Sequence, residues 1–128
     1  MPTEAPGKIA FLIWAATPDR PELCVTPLVH ALAARALECE VEIHFAGPAV
    51  RWLVECVAAT AYPLPAGDKS IECFLDELAA EGVKLFACGM ALGAWVRPDE
   101  ALIAHAGFAG ATAFVARSLD PTWRTLVY

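Results

Sequence analysis

The chain has 128 residues, 58% hydrophobic and 19% charged, with a formal net charge of −6. That length supports one domain with a proper core, without disulfides or metal. The nine basic residues stand singly, which argues against nucleic acid and against a polybasic membrane anchor, because both need a concentrated positive patch.

The opening MPTEAPG reads as a short disordered tail over residues 1–7, leaving 8–128 as a single domain. KIAFLIWA (8–15) is a continuous apolar run, as expected of a strand buried on both faces of a parallel sheet. It is too short and too weakly flanked for a secretory leader, and no uncharged stretch reaches the ~20 residues of a membrane span. A cytoplasmic protein is expected. A turn-rich loop follows, with Thr17 and Asp19 in it. Thr26-Pro27 then reads as a cap and first helical residue; the alternative is a start near Pro21, with Pro27 kinking the helix.

VEIHFAG (41–47) is the second strand, separated from the alanine-rich helix before it by β-branched and aromatic residues. GPAVRWLVECVAA (47–59) reads as a helix, and AYPLPAGDKS (61–70) as a loop with a short strand suggested at 61–64. Ser70 is placed to cap the helix that runs to Gly82. VKLFAC (83–88) is a third strand, and MALGAW (90–95) a helix broken by Arg97-Pro98-Asp99. DEALIAHAG (99–107) suggests another short helix, 109–120 a further one, and WRTLVY (123–128) a last strand. Strands alternating with helices predict an α/β fold: three α/β/α layers around a mostly parallel sheet of four to five strands.

Five cysteines, Cys24, Cys39, Cys56, Cys73 and Cys88, are an odd number with no Cys-x-x-Cys spacing. Neither a zinc site nor a disulfide framework is expected. Cys24 falls in a loop or first helical turn, Cys39 lies between two glutamates, and Cys56 and Cys73 fall in predicted helices as packing residues. Cys88 differs. It ends a strand and precedes a helix, at the carboxyl edge where open α/β sheets bind ligands. The helix dipole and free N–H groups there favour a thiolate. His44, near the end of the second strand, joins Thr17 and Asp19 as a candidate for the same crevice, although ordinary structural roles suit all three. GFAG (107–110) is too incomplete for a phosphate loop, and no P-loop, G-x-S-x-G or His-Glu-x-x-His motif occurs.

KIAFLIWAATPDRPE, ALAARALECEVEIHFAG, GVKLFACGMAL and LIAHAGFAGATAFVARSLDPTWRTLVY, in this order and spacing, resemble the DsrE/DsrF-like family of small sulfur-handling proteins. The resemblance implies a three-layer domain assembled as a trimer or hexamer, a fit to the apolar composition. It implies sulfur held as a persulfide on Cys88, taken from a donor protein and passed to an acceptor. The paired cysteines of some members are absent here. The backbone N–H groups of Gly89 and Met90 would stabilise the anionic sulfur, with no cofactor or metal. The competing expectations are a non-catalytic oligomeric binding protein with a buried Cys88, and a thiol redox sensor.

Overall fold

The computed structural model describes residues 7–128. The tail read over 1–7 lies outside the described residues except for Gly7, whose carbonyl accepts the Glu40 N–H at 2.9 Å. Five strands, β1 (Lys8–Ile13), β2 (Glu40–Phe45), β3 (Lys84–Ala87), β4 (Ala106–Phe108) and β5 (Trp123–Val127), form one sheet in the order β4-β3-β2-β1-β5. Every pairing is parallel. The connecting helices are α1 (Pro21–Ala36), α2 (Ile71–Ala80), α3 (Gly89–Trp95) and α4 (Ala111–Leu119).

Topology assigns the helices to faces. From β1 to β4 the chain steps across the sheet in one direction, so right-handed crossovers put α1, α2 and α3 on one side. From β4 to β5 it steps back, and α4 covers the other side. This is the expected three-layer arrangement. Strand alternation then sorts the side chains. Phe11, Ile13, Val41, Ile43, Phe45 and Leu85 face the three helices and join Leu28, Leu75, Leu78 and Trp52 in one buried core. The alternate set, Leu12, Glu42, His44 and Phe86, faces α4.

α1 begins at Pro21 and carries Pro27, buried, inside it, so the earlier of the two expected starts is the real one. The helix ends in a Schellman-type arrangement: Cys39 N–H bonds Ala34 O, Glu38 N–H bonds Arg35 O, and Glu38 takes φ 64°. Ser70 caps α2 by accepting from Cys73 N at 3.3 Å.

Three sequence expectations are corrected. Residues 47–59 form no α-helix but two 3-10 segments, Gly47–Leu53 and Ala58–Thr60. Between them Val54 bridges to Leu102, and Cys56 adopts φ 72°. The buried Trp52 sets this geometry by donating Nε1–H to Ala16 O at 2.7 Å. No strand forms at 61–64, where Pro63 lacks a ladder donor and Pro65 follows directly. Residues 99–107 are not helical; Ala101 O accepts from Glu55 N, Arg51 holds Glu100 with two 2.9 Å bonds, and the segment continues into β4. Gly107 permits that strand because a Cβ there would lie 3.3 Å from the Phe86 ring.

Candidate functional site

Cys88 follows β3 directly and occupies the N-cap position of α3 with extended backbone. Its N–H donates to Phe45 O at 3.0 Å, continuing the ladder, and its carbonyl accepts from Leu92 N at 3.1 Å. The backbone is therefore fixed on both sides, while the half-buried thiol is left without a hydrogen-bond partner among the described residues. Gly89 and Met90, the first two helical residues, have N–H groups with no intrahelical acceptor. The Met90 side chain is 86% exposed, and a Cβ at Gly89 would meet nothing within 4 Å.

The thiol opens into a cleft of about 220 Å³ lined by Leu12, His44, Ala46, Cys88, Gly110 and Phe114, among others. Strand ends form its floor, and the start of α4 forms one wall. His44 and Cys88 both line this cleft. Thr17 and Asp19 do not line the cleft; the Thr17 carbonyl instead closes a turn with Arg20 N at 2.9 Å. A larger and shallower hollow of about 660 Å³ lies near Pro18, Pro21, Cys56 and Tyr62. It is open to solvent, and Glu55 is in its lining.

Beneath the cleft lies a polar group that stands out in the sheet. His44 and Glu42 are both only 4% exposed, and His44 Nε2 lies 2.9 Å from Glu42 Oε1. Arg117, from α4, donates Nε–H to Glu42 Oε1 at 2.8 Å and Nη2–H to Oε2 at 3.2 Å. The guanidinium stacks over the Trp123 ring at 4.0 Å, and the His44 ring packs between Phe86 and Phe114. Burial pushes the Glu42 carboxyl up, but the Arg117 and His44 hydrogen bonds and charges outweigh it and hold the group below its ordinary value.

The other thiols have different settings. Cys24 is fully buried in α1, and desolvation pushes it up to about 12, so it is inert as a nucleophile. Cys56 and Cys73, expected to pack inside helices, are exposed; Cys56 is not helical, and Cys73 sits on the outer side of α2. Among the described residues no group of three or more His, Cys, Asp or Glu is placed to hold a metal, and no helix is long and apolar enough to cross a membrane.

Sequence reading missed Gly110, Phe114, Glu42 and Arg117. Glu42 had a usable signal: two polar residues, 42 and 44, on the same face of an otherwise apolar strand. Gly110 was hidden by the missed β4, which makes GFAG a strand-to-helix turn.

A three-layer, all-parallel α/β domain with one thiol in a strand-end cleft defines the fold class. The chain belongs to the DsrE/DsrF-like family, whose model matches residues 8–127; the family is known in sulfur relay. Its fold is shared with the YchN protein from E. coli, at a TM-score of 0.72 and 18% identity, covering 95% of this chain and 99% of that one. The protein of unknown function MTH1491 from Methanobacterium thermoautotrophicum gives a TM-score of 0.65 at 18% identity, with 95% and 99% covered. No curated protein sequence matches.

Proposed function

We propose that this protein is a sulfur carrier that holds sulfur as a persulfide on Cys88 and passes it between protein thiols. The observation that carries this reading is the placement of Cys88: a half-buried thiol, fixed by its backbone, in a cleft at the carboxyl edge of the sheet. The Cys88 thiolate attacks the terminal sulfur of a donor persulfide; the S–S bond breaks and its electron pair leaves on the donor sulfur. The N–H groups of Gly89 and Met90 lie beside the new anionic sulfur. An acceptor thiolate then takes the terminal sulfur from Cys88 by the same exchange.

Residues 8–128 act as one domain in this reading, in the cytoplasm, where thiols stay reduced. A trimer or hexamer is part of it. α4 has no fully buried residue, and Met90 and Trp95 on α3, Phe108 on β4, and Val115 and Leu119 on α4 are large exposed apolar side chains. Light scattering on an eluting peak reads the stoichiometry.

The carrier test is incubation with glutathione persulfide followed by intact mass measurement. The expected result is a gain of one sulfur by the wild type and none by Cys88→Ser. No Cys88-dependent gain favours a binding protein with an idle thiol. A reversible sulfenic acid after peroxide, without sulfur loading, favours a redox sensor.

A further inference from the structure

The carrier reading leaves unexplained why a buried glutamate and an arginine hold a buried histidine that lines the cleft of the thiol. An ion pair placed there solely for stability is a poor choice, because replacing such groups by apolar residues is often neutral or better. A packed apolar layer would also have served the fold, as it does on the opposite face of the same strands.

The register places His44 on β2 and Cys88, just past the end of neighbouring β3, on the same face of the sheet. His44 pairs with Phe86 on the neighbouring strand, and Cys88 lies two residues beyond Phe86 on the same face. Two residues of strand rise about 6.6 Å and neighbouring strands lie about 4.8 Å apart, so the two backbones stand about 8 Å from one another, a separation that a histidine and a cysteine span with one water between them. Both line the cleft. His44 Nε2 is committed to Glu42, so Nδ1, on the other flank of the ring, is the nitrogen left for the cleft. Glu42 receives two bonds from Arg117, which fixes the carboxylate and thereby the ring.

We infer that His44 is the proton acceptor and donor for Cys88, with Glu42 and Arg117 as its positioning residues. This rests on Cys88 being the reactive thiol. The Cys88 Sγ–H proton passes through the bridging water to His44 Nδ1, giving a thiolate and an imidazolium whose Nε2–H donates to Glu42. The thiolate attacks the terminal sulfur of a persulfide R–S–S–H; the new S–S bond forms, the old one breaks, and R–S⁻ takes the proton from Nδ1 and leaves as R–SH. Net, one thiol and one persulfide become one persulfide and one thiol, with no oxidant or reductant required.

The charged and titratable groups around His44 are few. Glu42 is on its own strand, Cys88 follows β3, Lys84 pairs in register with Glu42, and Arg117 comes from α4; Leu12, its neighbour on β1, is apolar. Arg117 balances the Glu42 charge, so removing it leaves that charge to the imidazolium alone.

The test is the rate of iodoacetamide labelling of Cys88 in the full chain, read on its own peptide from about pH 5 to 10, a range spanning ordinary histidine and cysteine titration. Wild type should show two inflections, the signature of a coupled pair. His44→Gln should show one and label about tenfold more slowly at neutral pH. Arg117→Met should move the lower inflection to higher pH. One unchanged inflection in wild type and in both variants, each folded by circular dichroism, overturns the inference. A second measurement leaves His44 intact: NMR titration of its ring in wild type and in Cys88→Ser. A higher midpoint in wild type is expected from reciprocal coupling; identical midpoints overturn the proposal. If His44-dependent labelling persists but no sulfur is gained, only the carrier reading fails. If sulfur is gained with labelling independent of His44, only this inference fails.

Discussion

On one face of the sheet Leu28, Leu75 and Leu78 reach zero exposure against strand residues such as Ile43 and Leu85. On the other, α4 has no buried residue, and the strand side chains beneath it include Glu42, His44 and, at their end, Cys88. The same strands build both faces, so the difference lies in what covers them. α1, α2 and a 3-10 segment, with Ala91 of α3, close the first face and supply most of the apolar burial that holds the fold. The single helix on the second face leaves room for charge and a cleft. Stability concentrated on one side allows the other to keep polar groups that a fully closed layer would have to exclude.

The largest expected effect tests the first half of that contrast. Leu75→Ala should cost about 3 kcal/mol, through lost burial and the cavity it leaves. Thr112→Ala, exposed on α4, should change stability by less than about 0.5 kcal/mol. Urea unfolding measures both, and comparable losses would break the contrast. Next comes Arg117→Met, which strips the buried Glu42 carboxylate of two donors and should cost about 2 kcal/mol at neutral pH. The Glu42 carboxyl is held low in the fold, so its contribution is fully present above the unfolded value of about 4.3. It is lost as pH falls through the lower folded value. Wild type and variant should therefore converge in acid, and a gap of constant size from neutral pH through the whole acid limb would show that Arg117 acts through packing on Trp123 instead.

The smallest effect lies at the end of α1, on the well-packed face. Glu38 holds φ 64° and puts a negative charge at the negative end of a helix dipole. Glu38→Gly should stabilise by about 1 kcal/mol, seen as a higher urea midpoint. No gain would mean that the glutamate side chain makes compensating contacts.

Most of the fold was legible because its signals were local. β1, β2 and β3 are apolar runs bounded by turn formers, Ser70 announces a cap, and strand–helix alternation implies parallel pairing. The failures came where distant residues decide. Whether 47–59 is helical depends on Trp52 reaching Ala16 and on Val54 pairing with Leu102, neither of which leaves a periodic trace. β4 is three residues of alanine, glycine and phenylalanine, too short and too weak in strand preference to compete with the helical look of 99–107. In the site, position alone singled out Cys88, but the Arg117–Glu42 pair joins residues 75 apart in sequence. Thr17 and Asp19 lie in the right loop, but that loop turns toward Arg20 rather than the cleft.

The strand order also bears on how the chain reaches this state. β1 is made first among the strands, and one of its two neighbours, β5, is made after all the others. During synthesis one edge of β1 therefore stays unpaired, with its apolar run open to any extended segment nearby, until β5 arrives. Tyr128 then fastens that edge: its N–H bonds Leu12 O, its carbonyl accepts from Trp14 N and Ala15 N, and its hydroxyl meets His30 on α1. Chains stalled before that segment are the ones expected to aggregate.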